Sequence, residues 1–414
     1  MRAEIISIGS ELTSGQNLDT NSQWLSRRLA EMGIPVLYHT TVADDLEANL
    51  DVFRAAVRRA DLVVATGGLG PTQDDLTRDV LAQTAGVELA LHEPSLRHIE
   101  EMFSRRRRIM TDRNRVQAYF PANADVMPNP HGTAPGIWMT IGDCRIAAMP
   151  GVPSEMFAMF EQEVRPRLVA AGLGGGVLVQ RKINCFGAGE SAVEAKLLDL
   201  TCRGHVPDVG ITVSDAVISL RIIAHAADLA AAQTQIGPVE QTIRERLGTF
   251  VYGEEAEELE DVVVRLLAEK RWTVATAESV TAGQVAQRLG RVPGVSEWFR
   301  GGVVAYTNFA KMNLLGVRAE MLATHGAVSA PIAEAMAVGV RQRLGTDFGV
   351  STTGIAGPGG GTEQTPVGMV YVGLSWDGGA TTMSWNWAGT RTEIQSRTAK
   401  LALNALRLQL MKTV

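Results

Sequence analysis

Cysteine is scarce in this chain of 414 residues. The three present, Cys144, Cys185 and Cys202, are widely spaced and form no C-x-x-C pair, which excludes a zinc knuckle and a disulfide framework. The seven histidines show no H-E-x-x-H or other paired-ligand spacing. Positive charge is not in excess either: the net charge is −6, so no global field draws in a polyanion. Charges or glycines interrupt every apolar run before it reaches membrane-span length. Glu4 breaks what would be the apolar part of a leader peptide. A cytoplasmic protein without a membrane or nucleic-acid partner is expected. Aromatic residues are few, at 5%, whereas glycines number 42 and hydrophobic residues reach 45%. That balance excludes disorder and points to α/β domains whose loops offer backbone N–H groups to ligands. The length predicts two or three domains.

The pattern along the chain alternates strands with helices. EIISI ends in Gly9-Ser10-Glu11, residues 19–32 and 46–60 have helical periodicity, and VLYHTTV and DLVVAT are strands. This spacing implies a parallel sheet with helices on both faces and ligands at the carboxyl ends of its strands. Residues 171–252 form a second regime, in which VLVQRKINCF and AVISLRIIAHA flank a helix at about 189–200. From 256 to 414 the α/β pattern returns, with strands at 272–277, 301–306, 348–353 and 367–376 and helices at 280–290, 308–315, 331–344 and 392–411. The fold class expected is therefore α/β: two doubly wound domains, 1–170 and 256–414, joined by a small α+β connector.

Four constellations carry chemical meaning. The run Thr66 to Asp75 (TGGLGPTQDD) lets backbone approach a phosphate through Gly67, Gly68 and Gly70, without being a Walker A or G-x-G-x-x-G sequence. Thr72 and Asp75 have capping-box spacing, while Asp74 and Asp75 could also hold a divalent cation; the pattern leaves both open. Ser279 stands where a strand passes into a helix, as either an N-cap or a nucleophile. Tyr306 ends a strand, and Lys311 lies in the first turn of the next helix, where the dipole lowers the pKa of a lysine. Such a lysine is either a solvated surface group or a general base for a serine. Five of the eight residues from Gly354 to Gly361 are glycine, which suits an anion-binding nest or a flexible lid. A basic run, Arg105 to Arg108 with Arg113 and Arg115, is either a solvated helix face or an anion-facing edge.

In this order, these motifs resemble the CinA family of competence/damage-inducible proteins over essentially the whole chain. EIISIGSEL, the run Asp19 to Leu25, TGGLGPTQDDLT, HGTAPG and PGVPSEM are similar to the MogA/MoaB-like molybdopterin-binding fold. AES-x-T-x-G, GGVVAYTN-x-x-K and TGIAGPGGGT resemble the PncC nicotinamide-nucleotide amidase domain. The chain departs from the family pattern at Val280 (usually Cys), Ala282 (usually Gly), Ala330 (usually Glu) and Thr390 (usually an acid). Without that cysteine, Ser279 is the candidate nucleophile.

The resemblance implies two hydrolytic activities. In the C-terminal domain it implies deamidation of nicotinamide mononucleotide, without a cofactor. There Ser279 would attack, Lys311 would take its proton, and N–H groups near Thr281 to Gly283 would meet the oxyanion. Tyr306 would orient Ser279 or Lys311. Thr281 is counted with the catalytic residues, and Gly283, Asn308, Thr353, Gly354, Gly357, Gly359, Gly360 and Arg391 with the substrate-binding ones. In the N-terminal domain the resemblance implies cleavage of ADP-ribose with a divalent metal (Mg, Mn or Co) and potassium. Substrate contacts there would come from Gly9, Ser10, Gly67, Gly68, Gly70, Pro71, Thr72, Gly132, Thr133 and Gly136, and metal ligands from Glu11, Asp44, Asp74 and Asp75. A homodimer is expected. The competing expectation is a pterin- or nucleotide-binding regulator acting in DNA uptake or repair through a protein partner, for which the Arg105–Arg108 run is the support.

Overall fold

The computed structural model describes residues 2–107 and 109–412; Arg108 of the basic run lies outside the described residues. Seventeen strands occur among the described residues. In chain order they are β1 Ala3–Ile8, β2 Val36–Val42, β3 Leu62–Thr66, β4 Leu89–Leu91, β5 Tyr119–Pro121, β6 Asp125–Met127, β7 Gly136–Ile141 and β8 Cys144–Met149. The middle of the chain adds β9 Val177–Phe186, β10 Asp208–Ser214, β11 Val217–Ala226 and β12 Val251–Glu254. The C-terminal part adds β13 Val274–Glu278, β14 Phe299–Val304, β15 Phe348–Gly354, β16 Met369–Trp376 and β17 Gly379–Asn386. By backbone contacts the chain divides into two compact units, 1–179 with 223–236 and 180–222 with 237–414.

The first unit holds a six-stranded sheet of order β2-β1-β3-β8-β7-β6. Its strands β2, β1, β3 and β8 run parallel, while β7 and β6 are antiparallel to their neighbours. Every residue of β1 and β3 is buried, because helices cover both faces. Alternation divides them: Ile6, Val63 and Ala65 pack with Leu50 and Phe53, whereas Ile5, Leu62 and Val64 pack with Leu25 and Leu29. The covering helices start where their caps dictate. Asp19 accepts the Ser22 N–H at 2.9 Å to open Thr20–Glu31, and Asp45 accepts the Ala48 N–H at 2.9 Å to open Leu46–Arg59.

The middle of the chain forms a four-stranded sheet of order β10-β11-β9-β12 with helices Glu190–Thr201 and Leu229–Leu247. The second helix escapes sequence reading: Ala-rich spacing gives it a weak amphipathic signal, and Gly237-Pro238 looks like a break although the helix runs through it.

The C-terminal sheet has the order β14-β13-β15-β16-β17. Strands β14, β13 and β15 are parallel, and β16 and β17 return as an antiparallel pair. Helices Leu259–Lys270, Gln284–Gly290 and Arg391–Lys412 supply one core face, with Val274; helix Ala330–Leu344 supplies the other, with Ala275 and Ala277. The α/β expectation holds, as mixed sheets. Two of the boundaries that move bear on the site. The helix expected from Val280 begins only at Gln284, because Ala282 (φ 51°) and Gly283 (φ 101°) are left-handed. The strand expected at 301–306 ends at Val304, leaving Tyr306 in the loop beyond it.

Candidate active site

At the carboxyl ends of β13 and β15, a cleft of about 260 Å³ is lined by Ser279, Tyr306, Asn308, Lys311, Thr353, Gly354, Gly357, Gly359, Gly360 and Arg391. Ten residues singled out in the sequence thus converge on one cavity from four separate segments. Ser279 follows β13 directly, and its N–H donates to the Thr352 carbonyl at 3.0 Å, tying the residue to β15. Lys311 is the fourth residue of helix Asn308–Leu315, opened by the Thr307 hydroxyl, which accepts the Ala310 N–H at 3.2 Å. Its side chain turns inward and is 2% exposed, so it is not a solvated surface lysine. The ammonium nitrogen lies 3.0 Å from Ser279 Oγ and 3.2 Å from the Ala305 carbonyl oxygen. Burial pushes the Lys311 pKa down, since neither of those neighbours is an anion that would hold its charge.

Glu278 explains both the turn and the late helix start. Its buried carboxylate accepts from Thr281 Oγ1 at 2.6 Å, from Gly283 N at 2.9 Å, from Val285 N at 3.0 Å and from Ala286 N at 2.8 Å. It therefore satisfies the N-terminal donors of helix Gln284–Gly290 from below. Two expectations are corrected by this contact. The Gly283 N–H is held by Glu278, and the Ala282 N–H by the Ser279 carbonyl at 3.2 Å, so neither is free to meet an oxyanion. Thr281 is fully buried with its hydroxyl between Glu278 and Thr352 (2.7 Å), and it shapes the turn without lining the cleft. Ser279 is not the N-cap, since Gly283 occupies that position.

Tyr306 is placed differently from expectation as well. Its hydroxyl accepts from Arg391 at 2.5 Å and bonds to neither Ser279 nor Lys311. The other arm of Arg391 donates to the Gly357 carbonyl at 2.7 Å, so one guanidinium joins the Tyr306 loop to the glycine-rich loop. Thr353 donates to the Ala327 carbonyl at 2.8 Å, which brings Ala327 and Val328 into the cleft wall. Sequence reading missed Glu278 as a residue with a role, although its place directly before the serine was visible. It also missed Gln395, whose amide donates to the Val280 carbonyl at 2.9 Å and braces the turn beyond the serine.

In the first unit, a cleft of about 400 Å³ at the carboxyl ends of β1 and β3 is lined by Gly9, Glu11, Asp44, Gly67, Gly68, Gly70, Pro71, Asp74, Asp75 and Thr133. Gly67 must be glycine: its φ is 107°, and a Cβ would press on the Ile8 carbonyl. Beneath the loop, Arg78 is 3% exposed and donates to the Leu69 carbonyl at 2.8 Å and the Gly70 carbonyl at 2.6 Å. Burial lowers its pKa, against the pull of Asp75 and Asp79. Four expected ligand contacts do not line this cleft. Ser10 exchanges hydrogen bonds with Asp44, at 2.7 and 3.2 Å. Thr72 is bound to Asp75 through its N–H (2.8 Å) and its hydroxyl. Gly132 donates to Asn129 at 2.9 Å. Gly136 is a packing glycine, with the Ala148 carbonyl where a Cβ would go. Gln117 and Glu155 line the cleft and were not foreseen.

The carboxylates do not make a metal centre. Asp75 spends its oxygens on Gly70 N (2.7 Å) and Thr72, and Asp44 accepts Ser10 N. Among the described residues no three His, Cys, Asp or Glu side chains are grouped closely enough to hold an ion. Within the basic run, Arg105 pairs with Glu101 at 3.5 Å and Arg106 reaches the His131 carbonyl at 3.4 Å, so these two are partly engaged. Among the described residues no helix is long and apolar enough to cross a membrane.

Comparison with known proteins agrees with this architecture. Residues 4–170 match a probable molybdopterin binding domain, 180–253 the damage-inducible protein CinA KH domain, and 256–410 the CinA C-terminal domain. A CinA-like protein of Dictyoglomus thermophilum is 45% identical over 411 residues, covering 99% of this chain and all (100%) of the relative. A CinA-like protein of Kosmotoga olearia is 42% identical over 414 residues, covering 100% of both. The crystal structure of the CinA protein of Thermoplasma acidophilum is 32% identical, with a TM-score of 0.38, covering 40% of this chain and 96% of that one. The chain belongs to the CinA family.

Proposed function

We propose that the C-terminal domain is an amidohydrolase that deamidates nicotinamide mononucleotide to nicotinate mononucleotide and ammonia. One observation carries this reading: a serine and a lysine hydrogen-bonded at 3.0 Å, the lysine buried at the wall of a cleft. A buried lysine is neutral more readily than a solvated one and can serve as base to the adjacent hydroxyl. Lys311 takes the Ser279 proton as Oγ attacks the carboxamide carbon. The tetrahedral oxyanion is met by backbone N–H groups of the cleft wall, Val280 being the nearest in sequence. Lys311 returns the proton to the departing ammonia, leaving an ester on Ser279. Lys311 then takes a proton from water as it attacks the ester, and gives it back to Ser279. Arg391 and the loop of Gly354, Gly357, Gly359 and Gly360 suit the ribose phosphate. The test is ammonia release from nicotinamide mononucleotide by the full chain and by Ser279→Ala. Loss in the variant, with the fold intact by circular dichroism, is expected; undiminished release would overturn the serine assignment.

The glycines lining the N-terminal cleft favour a second reading there: a nucleotide pyrophosphate, ADP-ribose, cleaved to AMP and ribose 5-phosphate in the same cytoplasmic compartment. Among the described residues the donor set is too spread to be a metal centre. Formation of AMP from ADP-ribose, measured with and without divalent metal and potassium, tests it. A protein that binds ADP-ribose without turnover in every ion condition would overturn it in favour of a binding module.

A further inference from the structure

The turn between β10 and β11 consists of Asp215 and Ala216, both non-glycine and both left-handed, at φ 48° and 64°. Left-handed backbone is disfavoured for such residues and persists where surroundings over-determine it. Here they do. The Asp215 carboxylate accepts from Ser396 Oγ at 2.6 Å and from Lys400 Nζ at 2.9 Å, and lies 3.5 Å from Arg397 Nε. Its backbone carbonyl accepts a second bond from Lys400 at 2.9 Å, while Ala216 and Val217 pack against the C-terminal core. A hairpin from the middle sheet is thus clamped onto helix Arg391–Lys412.

The clamped residues follow Arg391, the residue of this helix that lines the cleft. Arg391 begins the helix and joins Tyr306 to the Gly357 carbonyl; Gln395, one turn on, holds the Val280 carbonyl beside Ser279. Arg397, paired with Asp215, also donates to Glu393 at 2.9 Å and to the Ala388 carbonyl at 2.5 Å. Glu393 in turn accepts from Thr390 N and Oγ1, both at 2.7 Å, which fixes the residue preceding Arg391. One side of the helix start faces the hairpin, and Arg391 at its beginning lines the cleft.

We propose that Asp215 is a positioning residue for the Ser279 site, setting the placement of Arg391 through Arg397, Ser396 and Lys400. The inference rests on the amidase reading for its kinetic consequence but not for its structural one. Arg391 contacts the glycine-rich loop and not the reacting dyad, so releasing the clamp weakens substrate binding before it slows chemistry.

The experiment uses the full chain with Asp215→Ala and Asp215→Asn, the latter keeping an acceptor for Ser396 and Lys400. Ammonia release from nicotinamide mononucleotide should show KM raised about five-fold in Asp215→Ala with kcat little changed, and KM only partly restored in Asp215→Asn, whose amide nitrogen faces Arg397. Hydrogen exchange on the same proteins should show faster exchange at 390–396 and at 354–361 in Asp215→Ala, and a smaller change in Asp215→Asn. A KM like that of the unaltered chain, with exchange changed at the hairpin alone, would overturn the proposal. If the unaltered chain releases no ammonia, the amidase reading fails by itself. The exchange at 354–361 then decides the positioning role: accelerated, it stands; unchanged, it falls.

Discussion

Lys311 Nζ lies 3.0 Å from Ser279 Oγ, and among the described residues no carboxylate contacts the lysine to hold its charge. The pair spans 32 residues of sequence and joins a strand end to a helix interior. Its reactivity depends on the proton state of the amine, which gives a pH signature. In the proposed mechanism the neutral amine is the active form, and burial lowers its pKa from the ordinary 10.5. Deamidation should therefore rise with pH through one ionisation that lies below 10.5, and fall as pH drops through it. Lys311→Met should lose about 10²-fold or more in kcat/KM and lose that ionisation. A profile that keeps the ionisation in the variant would assign it to another group.

Burial of Lys311 also costs stability. Below the folded-state pKa the protein must bury a charge; stability then climbs with pH until 10.5, where the unfolded lysine also becomes neutral. Lys311→Met should therefore raise thermal stability at neutral pH, by about 1 kcal/mol. The gain should shrink as pH approaches 10.5. A destabilised variant at neutral pH would contradict this sign.

Glu278 should be the most sensitive polar position in the turn. Glu278→Ala strands three backbone N–H groups and leaves the Thr281 hydroxyl with Thr352 alone, at about 3 kcal/mol. Glu278→Gln retains one acceptor oxygen and should fall between. Denaturant unfolding measures both; equal midpoints for the alanine variant and the unaltered chain would refute the capping role.

Ala282 pays for its left-handed φ of 51° without the freedom of glycine. Ala282→Gly should stabilise the chain by about 1 kcal/mol. Its bond to the Ser279 carbonyl runs through the backbone N–H, which glycine keeps, so activity should follow stability. A lower melting temperature would show that the methyl group packs usefully.

The parallel strands and the positions of Ser279, Lys311 and the glycine loops could be read from the chain because each is a local pattern: a buried run, a cap, a glycine cluster. The directions of side chains could not. Tyr306 turns to Arg391 across 85 residues, and Thr281 turns to Thr352 across 71, on contacts made only when strands assemble. Glu278 hid in a strand whose five residues are all buried, where an acid has meaning only once its four donors are known. The carboxylates of the N-terminal cleft show the reverse. They cluster in sequence at Asp74 and Asp75, yet Asp75 turns back on its own loop.

Gly359 differs from the glycines of the N-terminal cleft in what it offers to chemistry from outside. A Cβ at Gly67, Gly68 or Gly70 would lie 2.3, 2.3 or 2.4 Å from a neighbouring oxygen, whereas one at Gly359 meets nothing within 4 Å. Gly359 can therefore carry an introduced thiol at the edge of the Ser279 cleft. Cys144 and Cys185 are buried, so only exposed Cys202 need be replaced for a single attached fluorophore to follow ligand arrival in real time.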